Sequence, residues 1–309
     1  MSFKLKKIFL VQLCLSVLII SFGVFAAEIK PSDTLYLPTS YFAASSGAGA
    51  SFVGDIESPT KGKDGLSRGD VSMMAANPAT LAALKKQYTV FGNASWQYNL
   101  DLVEAGVFDS TVTSVAFALA ARETLPTETR TRDRSIKVAA AYQLKDIFDD
   151  LILGLSYDFQ QLSLTDKWAW QNDNHLMGVG ALYRIKSPWD KYIFLGLSQK
   201  GLFDKYNSSL TDVGVSTTAF ENYYIFNIDA LIDSKKGFQS VVTGVNIVLP
   251  QYFELKGSIG YNPKQDRIFW GSGIFFKGPL LHLYYTLVKT DSDDTTLRQT
   301  AGLELAFSI

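Results

Sequence analysis

Nucleophilic catalysis needs a general base, and this 309-residue chain offers two histidines, His175 and His282. His282 alternates with Tyr284 and Thr286, so it is expected to point inward from a strand. His175 starts a strand beside the polar stretch 164–173. Ser258 is a serine that His282 could activate in an enzyme acting on lipid, but nothing in the spacing fixes the distance between them. Both histidines are therefore expected to be structural or solvated. Two dispersed histidines make a weak metal site. The acidic run Asp291, Asp293 and Asp294 lacks the ligand spacing of a calcium loop and reads as a solvated turn. Gly271-Ser272-Gly273 lies within a strand, where glycines ease curvature or make room for an internal element. Neither a cofactor nor an enzymatic activity is expected.

The remaining chemistry is electrostatic. Lys137, Asp158, Lys200, Asp229, Glu254, Lys256, Arg298 and Glu304 fall on the polar faces of alternating segments, both signs equally represented. A charge-selective pore would show one dominant sign. A mixed interior fits salt bridges that hold an internal segment in place.

The elements that position these residues begin after an N-terminal leader. Lys4, Lys6 and Lys7 precede an apolar run from Ile8 to Phe25, and Val24 and Ala26 satisfy the small-residue rule for cleavage, so residues 1–26 read as a signal peptide. Its removal takes the formal charge from −1 to −4, since three lysines and no acid leave with it, and gives no reason to expect nucleic acid binding. Cys14, the single cysteine, lies inside the leader, which excludes disulfides and thiolate chemistry from the rest. No long apolar stretch follows Ala26, so the chain is not expected to cross a membrane by helices.

From Gln87 onward the periodicity is two. Fourteen segments qualify as strands: 87–97, 101–108, 111–121, 135–143, 150–163, 174–186, 191–201, 209–216, 222–233, 238–248, 251–262, 267–277, 279–290 and 296–309. The least certain is 209–216, and without it the even strand number fails. In 251–262, Phe253, Leu255, Ile259 and Tyr261 oppose Glu254, Lys256, Ser258 and Asn262. In 296–309, Leu303, Leu305 and Phe307 oppose Glu304, Ala306 and Ser308, with Gln299 interrupting the apolar side. Alternation alone does not separate a soluble sandwich from a membrane barrel with its apolar face outward. Three features favour the barrel. No helix follows Lys86 to cover an open sheet. Connections alternate between longer and shorter sets. Trp168 and Trp170 fall at one rim and Trp189 at the other, as in aromatic girdles.

Residues 28–69 have too few large apolar side chains to form a core alone. Beyond them, Asn77 is a favoured N-cap and Pro78 a favoured first helical residue, with Ala79, Leu81 and Ala82 following. The stretch Asp70–Leu84, with Asn77-Pro78-Ala79 and Leu81-Ala82, resembles the Asn-Pro-Ala-Gly-Leu-Ala motif of the long-chain fatty acid transporter (FadL-like) superfamily and its PorV-like relatives. Trp96 with Leu100-Asp101, then Gly257-Ser258-Ile259-Gly260-Tyr261 and Gly271-Ser272-Gly273 before an aromatic strand, resemble the same family. Thr80 stands where the family prefers glycine.

The resemblance implies a fourteen-stranded barrel with an N-terminal hatch. The expected fold is thus all-β: a transmembrane antiparallel β-barrel over 87–309, with a short helical hatch within 27–86. The expected location is the outer membrane of a Gram-negative cell, in contact with its lipid. The expected function is passive uptake of small hydrophobic, fatty-acid-like molecules. The alternative is a PorV-like scaffold or secretion accessory that transports nothing and binds envelope partner proteins.

Overall fold

The structure is a computed structural model that describes residues 77–83, 87–96, 100–111, 115–124, 132–144, 151–163, 172–186, 192–203, 209–219, 224–249, 252–264, 266–278, 280–289 and 298–308. The expected signal peptide, the segment 27–76, the acidic run at 291–294, and Trp168, Trp170 and Trp189 lie outside these residues.

Fourteen strands form one closed antiparallel barrel. They are β1 (Gln87–Trp96), β2 (Leu100–Asp109), β3 (Val115–Thr124), β4 (Arg132–Gln143), β5 (Leu151–Ser163), β6 (Asn172–Lys186), β7 (Tyr192–Leu202), β8 (Leu210–Ala219), β9 (Tyr224–Asp233), β10 (Gly237–Val248), β11 (Phe253–Asn262), β12 (Arg267–Lys277), β13 (Leu281–Lys289) and β14 (Arg298–Ser308). Each pairs with its sequence neighbours, and β1 closes on β14 from Gln87↔Ser308 to Trp96↔Gln299. Closure leaves no unpaired strand edge, which a membrane-spanning sheet requires.

Side-chain alternation is inverted relative to a soluble protein. On β9, Phe226 and Ile228 are exposed on the outer face while Asn227 and Asp229 are buried on the inner one. On β11, Phe253, Leu255, Ile259 and Tyr261 face out, and Glu254 and Lys256 are buried within. On β14 the outward set is Leu303, Leu305 and Phe307. This apolar outer surface with charges inside is the pattern of a barrel whose solvent is lipid.

Two boundaries depart from the sequence reading. The third strand is shifted from 111–121 to Val115–Thr124. Thr111 donates from both its backbone N and its Oγ to Asp109 Oδ1 at 2.9 and 2.7 Å, an Asx turn that ends β2 and delays β3. At the other end, Glu123 and Thr124 pair with Arg134 and Asp133, so residues polar enough to read as loop extend the hairpin instead. The doubtful eighth strand is real and longer than expected, pairing with β7 and β9 along its length.

Aromatic side chains collect toward the two ends of the wall. At one rim Trp96 contacts Tyr285, whose hydroxyl donates to Gln299, and this pairing accommodates the polar interruption on β14. At the other rim Tyr88 meets Phe307, and Phe276 is flanked by Tyr252 and Phe253.

Candidate functional site

Inside the barrel, Pro78–Ala83 forms a 3-10 helix rather than the α-helix that the alanines and leucines suggest. Six residues are too few for cooperative α-helix growth. Thr80 N and Oγ donate to the Asn77 carbonyl at 3.1 and 2.7 Å, while Ala79 N donates to Asn77 Oδ1 at 2.9 Å. Asn77 therefore caps the turn as its residue type predicts. Its Nδ2 also reaches the carbonyls of Ala181 on β6 and Leu197 on β7, at 3.2 and 3.4 Å, tying the cap to the wall.

The wall is shaped for this turn. Ala118, Ala120, Ala139 and Ala141 present small side chains inward from β3 and β4. Gly154 and Gly180 continue the surface on β5 and β6. A Cβ on Gly180 would sit 1.9 Å from Asn77 Oδ1, and one on Gly154 would sit 2.2 Å from the Ala79 backbone N. Ala79 and Leu81 are buried against Phe91, Phe108, Ile152, Leu182 and Phe194, and Ala82 packs at the margin. The result is an apolar cluster on a barrel's inner face, where the remaining wall is largely polar.

The sequence-predicted charges divide into pairs rather than one site. Lys137 on β4 is in register with Asp158 on β5, and Arg122 and Glu104 lie within electrostatic range of Lys137. Lys200 on β7 contacts Asp212 on β8 at 3.4 Å, with Asp229 nearby on β9. Asp229 accepts from Asn227 Nδ2 at 3.0 Å. Lys256 stands over the Phe275 ring at 4.4 Å, and Glu254 is buried one inward position away on the same strand. Phe275 stacks on Tyr284, whose ring fills the space where Gly302 lacks a side chain. His282 Nδ1 lies 3.2 Å from Glu304 Oε2, which accepts from it in the tautomer that carries the proton on Nδ1. Arg298 opens β14, and its side chain lies outside the described residues.

The structure does not bring Ser258 and His282 together. Ser258 is in register with Gly271 and, through it, with Val288, six positions along β13 from His282. At the rise of a β-strand that separation is about 20 Å, so the Ser258–His282 pairing is ruled out. His175 is exposed on the outer face, bonded to Tyr157 Oη at 2.5 Å and in ring contact with Phe159. Among the described residues no three His, Cys, Asp or Glu side chains gather closely enough to hold a metal ion.

Several interior residues escape the sequence reading. Asp212 lies on the least certain of the expected strands, although its alternation with Val213 and exposed Val215 marks it as inward. Arg122 falls just beyond the expected strand 111–121, yet is buried inside the barrel. Glu104, which accepts from Asn93 Nδ2 at 3.0 Å, shares its strand's inner face with Phe108. Strand parity was the available signal in each case.

Fold and surface together define a membrane-spanning β-barrel with a short segment packed inside it. A solved structure described as a CymD monoaromatic hydrocarbon channel superposes with a TM-score of 0.55 at 11% identity, covering 86% of this chain and 97% of that one. A Pseudomonas aeruginosa FadL homologue superposes with a TM-score of 0.48 at 10% identity, covering 86% and 98%. At these identities the likeness is one of fold. No family model and no curated protein sequence matches the chain.

Proposed function

We propose that this protein is an outer-membrane barrel for passive uptake of small hydrophobic molecules, with the turn Asn77–Ala83 acting as part of a hatch. The observation that carries the reading is the apolar cluster of Phe91, Phe108, Ile152, Leu182 and Phe194 on the inner wall, covered by Ala79 and Leu81. A water-filled porin gains nothing from apolar side chains in its lumen. A hatch that lifts from such a patch exposes a surface on which a hydrophobic solute can rest between two aqueous compartments. The fold shared with a hydrocarbon channel supports the same reading.

The seat of the hatch favours a second reading. Asn77 is bonded to two strands, and the wall glycines leave no slack around it. A segment held so closely suits a scaffold or secretion accessory whose barrel stays shut. Reconstituted liposomes separate the two. Uptake of a labelled fatty acid above that of protein-free vesicles supports transport. A folded barrel with no ligand-dependent uptake overturns it, and co-purification of an intact partner complex would then establish the scaffold.

A further inference from the structure

The outer face carries a groove unrelated to the hatch. Its volume is about 490 Å³, within the range of small-ligand sites, and it crosses β2 to β5. Two rows of outward residues build it. The lower row runs in register from Ala105 through Ala121 and Ile136 to Phe159, so two methyl groups form a low floor beside two larger apolar side chains. The upper row, two residues nearer the rim opposite the chain termini, runs through Glu123 and Arg134 to Gln161.

A charged pair on a lipid-facing wall is expensive at the bilayer midplane and nearly neutral at the interface. Glu123 and Arg134 therefore mark the headgroup level, with the alanine floor directly beneath it in the acyl region. Apolar space below and a guanidinium above match the two halves of a phosphorylated lipid. Arginine presents five donors in a planar fork suited to phosphate. Arg134 meets Glu123 at 3.4 Å and keeps 39% of its side-chain surface exposed, so a phosphate can reach the guanidinium.

We propose that this groove is a binding site for one phosphorylated membrane lipid, with an acyl chain on Ala105 and Ala121 and its phosphate held by Arg134. Glu123 then acts as a competitor for the guanidinium and limits affinity. The proposal requires that the barrel span a membrane, but not that it transport anything, so the liposome experiment leaves it untouched.

The test uses the purified folded protein in detergent, titrated with phosphatidic acid or with diacylglycerol of the same chains, and native mass spectrometry to count retained lipid. Phosphatidic acid should be retained preferentially. Arg134→Gln should weaken its retention about tenfold, the scale of one lost charge-assisted contact. Glu123→Gln should strengthen it, and Ala121→Trp should abolish it by filling the groove. Opposite responses of the two charge variants would not arise from misfolding. Equal retention of the two lipids, wild-type retention by both charge variants, or wild-type retention by Ala121→Trp would each overturn the site.

Discussion

Gly154 and Gly180 face each other across β5 and β6, and the backbone of Asn77–Ala79 lies directly on this pair. Neither position has room for a Cβ without moving the turn. A glycine in a strand weakens it, since it packs nothing and costs chain entropy. Two in register make sense where another backbone approaches this closely.

Gly180→Val should therefore dislodge the turn and leave the barrel intact. Overpacking of this kind costs about 1–3 kcal/mol, and ejecting a short segment relieves it more readily than distorting fourteen paired strands. The expected result is faster hydrogen exchange across residues 77–83 and higher liposome permeability, with the barrel's strand content unchanged by circular dichroism. Protection equal to wild type over 77–83 would show that the glycine pair does not hold the turn.

The Lys200–Asp212 pair offers a second test. Asp212 is buried, while Lys200 keeps 17% of its side-chain surface exposed. Asp212→Ala leaves that ammonium without its nearest counter-charge and should cost about 3 kcal/mol, the lower end for breaking a buried pair because Lys200 retains some solvation. Adding Lys200→Met should recover most of the loss. Urea unfolding in detergent micelles measures both, and additive single and double effects would mean that the two charges are not coupled.

The inside-out surface makes a prediction about the whole fold. Closed membrane barrels hold together in detergent until heated, so unboiled protein should migrate differently from boiled protein on a denaturing gel. Identical migration would argue for an ordinary soluble sandwich, in which the same alternation faces the other way.

Much of this fold is legible along the chain because side-chain direction in a strand is a local property. That Leu255 and Ile259 share one face and Glu254 and Lys256 the other follows from period two alone, whereas the outward direction of the apolar face comes from barrel closure. Where the local pattern fails, the cause is identifiable. Glu123 and Arg134 read as loop because both are charged, and only their pairing across the hairpin makes them strand. The alanines and Leu81 of residues 78–83 read as α-helix, and a six-residue segment capped by Asn77 settles into a tighter turn.

What the sequence determines by itself is which residues share a face; that the apolar face points outward and that the strands number fourteen are decided by closure of the sheet. Which of those residues meet is decided by register and closure, and these are long-range. Lys200 finds Asp212 across one hairpin, whereas Ser258 and His282, whose distance the spacing leaves open, are set about 20 Å apart by the ladders through β12. Asn77 bonds to a carbonyl 104 residues away, at a glycine pair whose purpose is invisible until the wall has curved around it. A strand's two faces are fixed by its own pleat, but the partner of each side chain is fixed only when fourteen strands have closed into a ring.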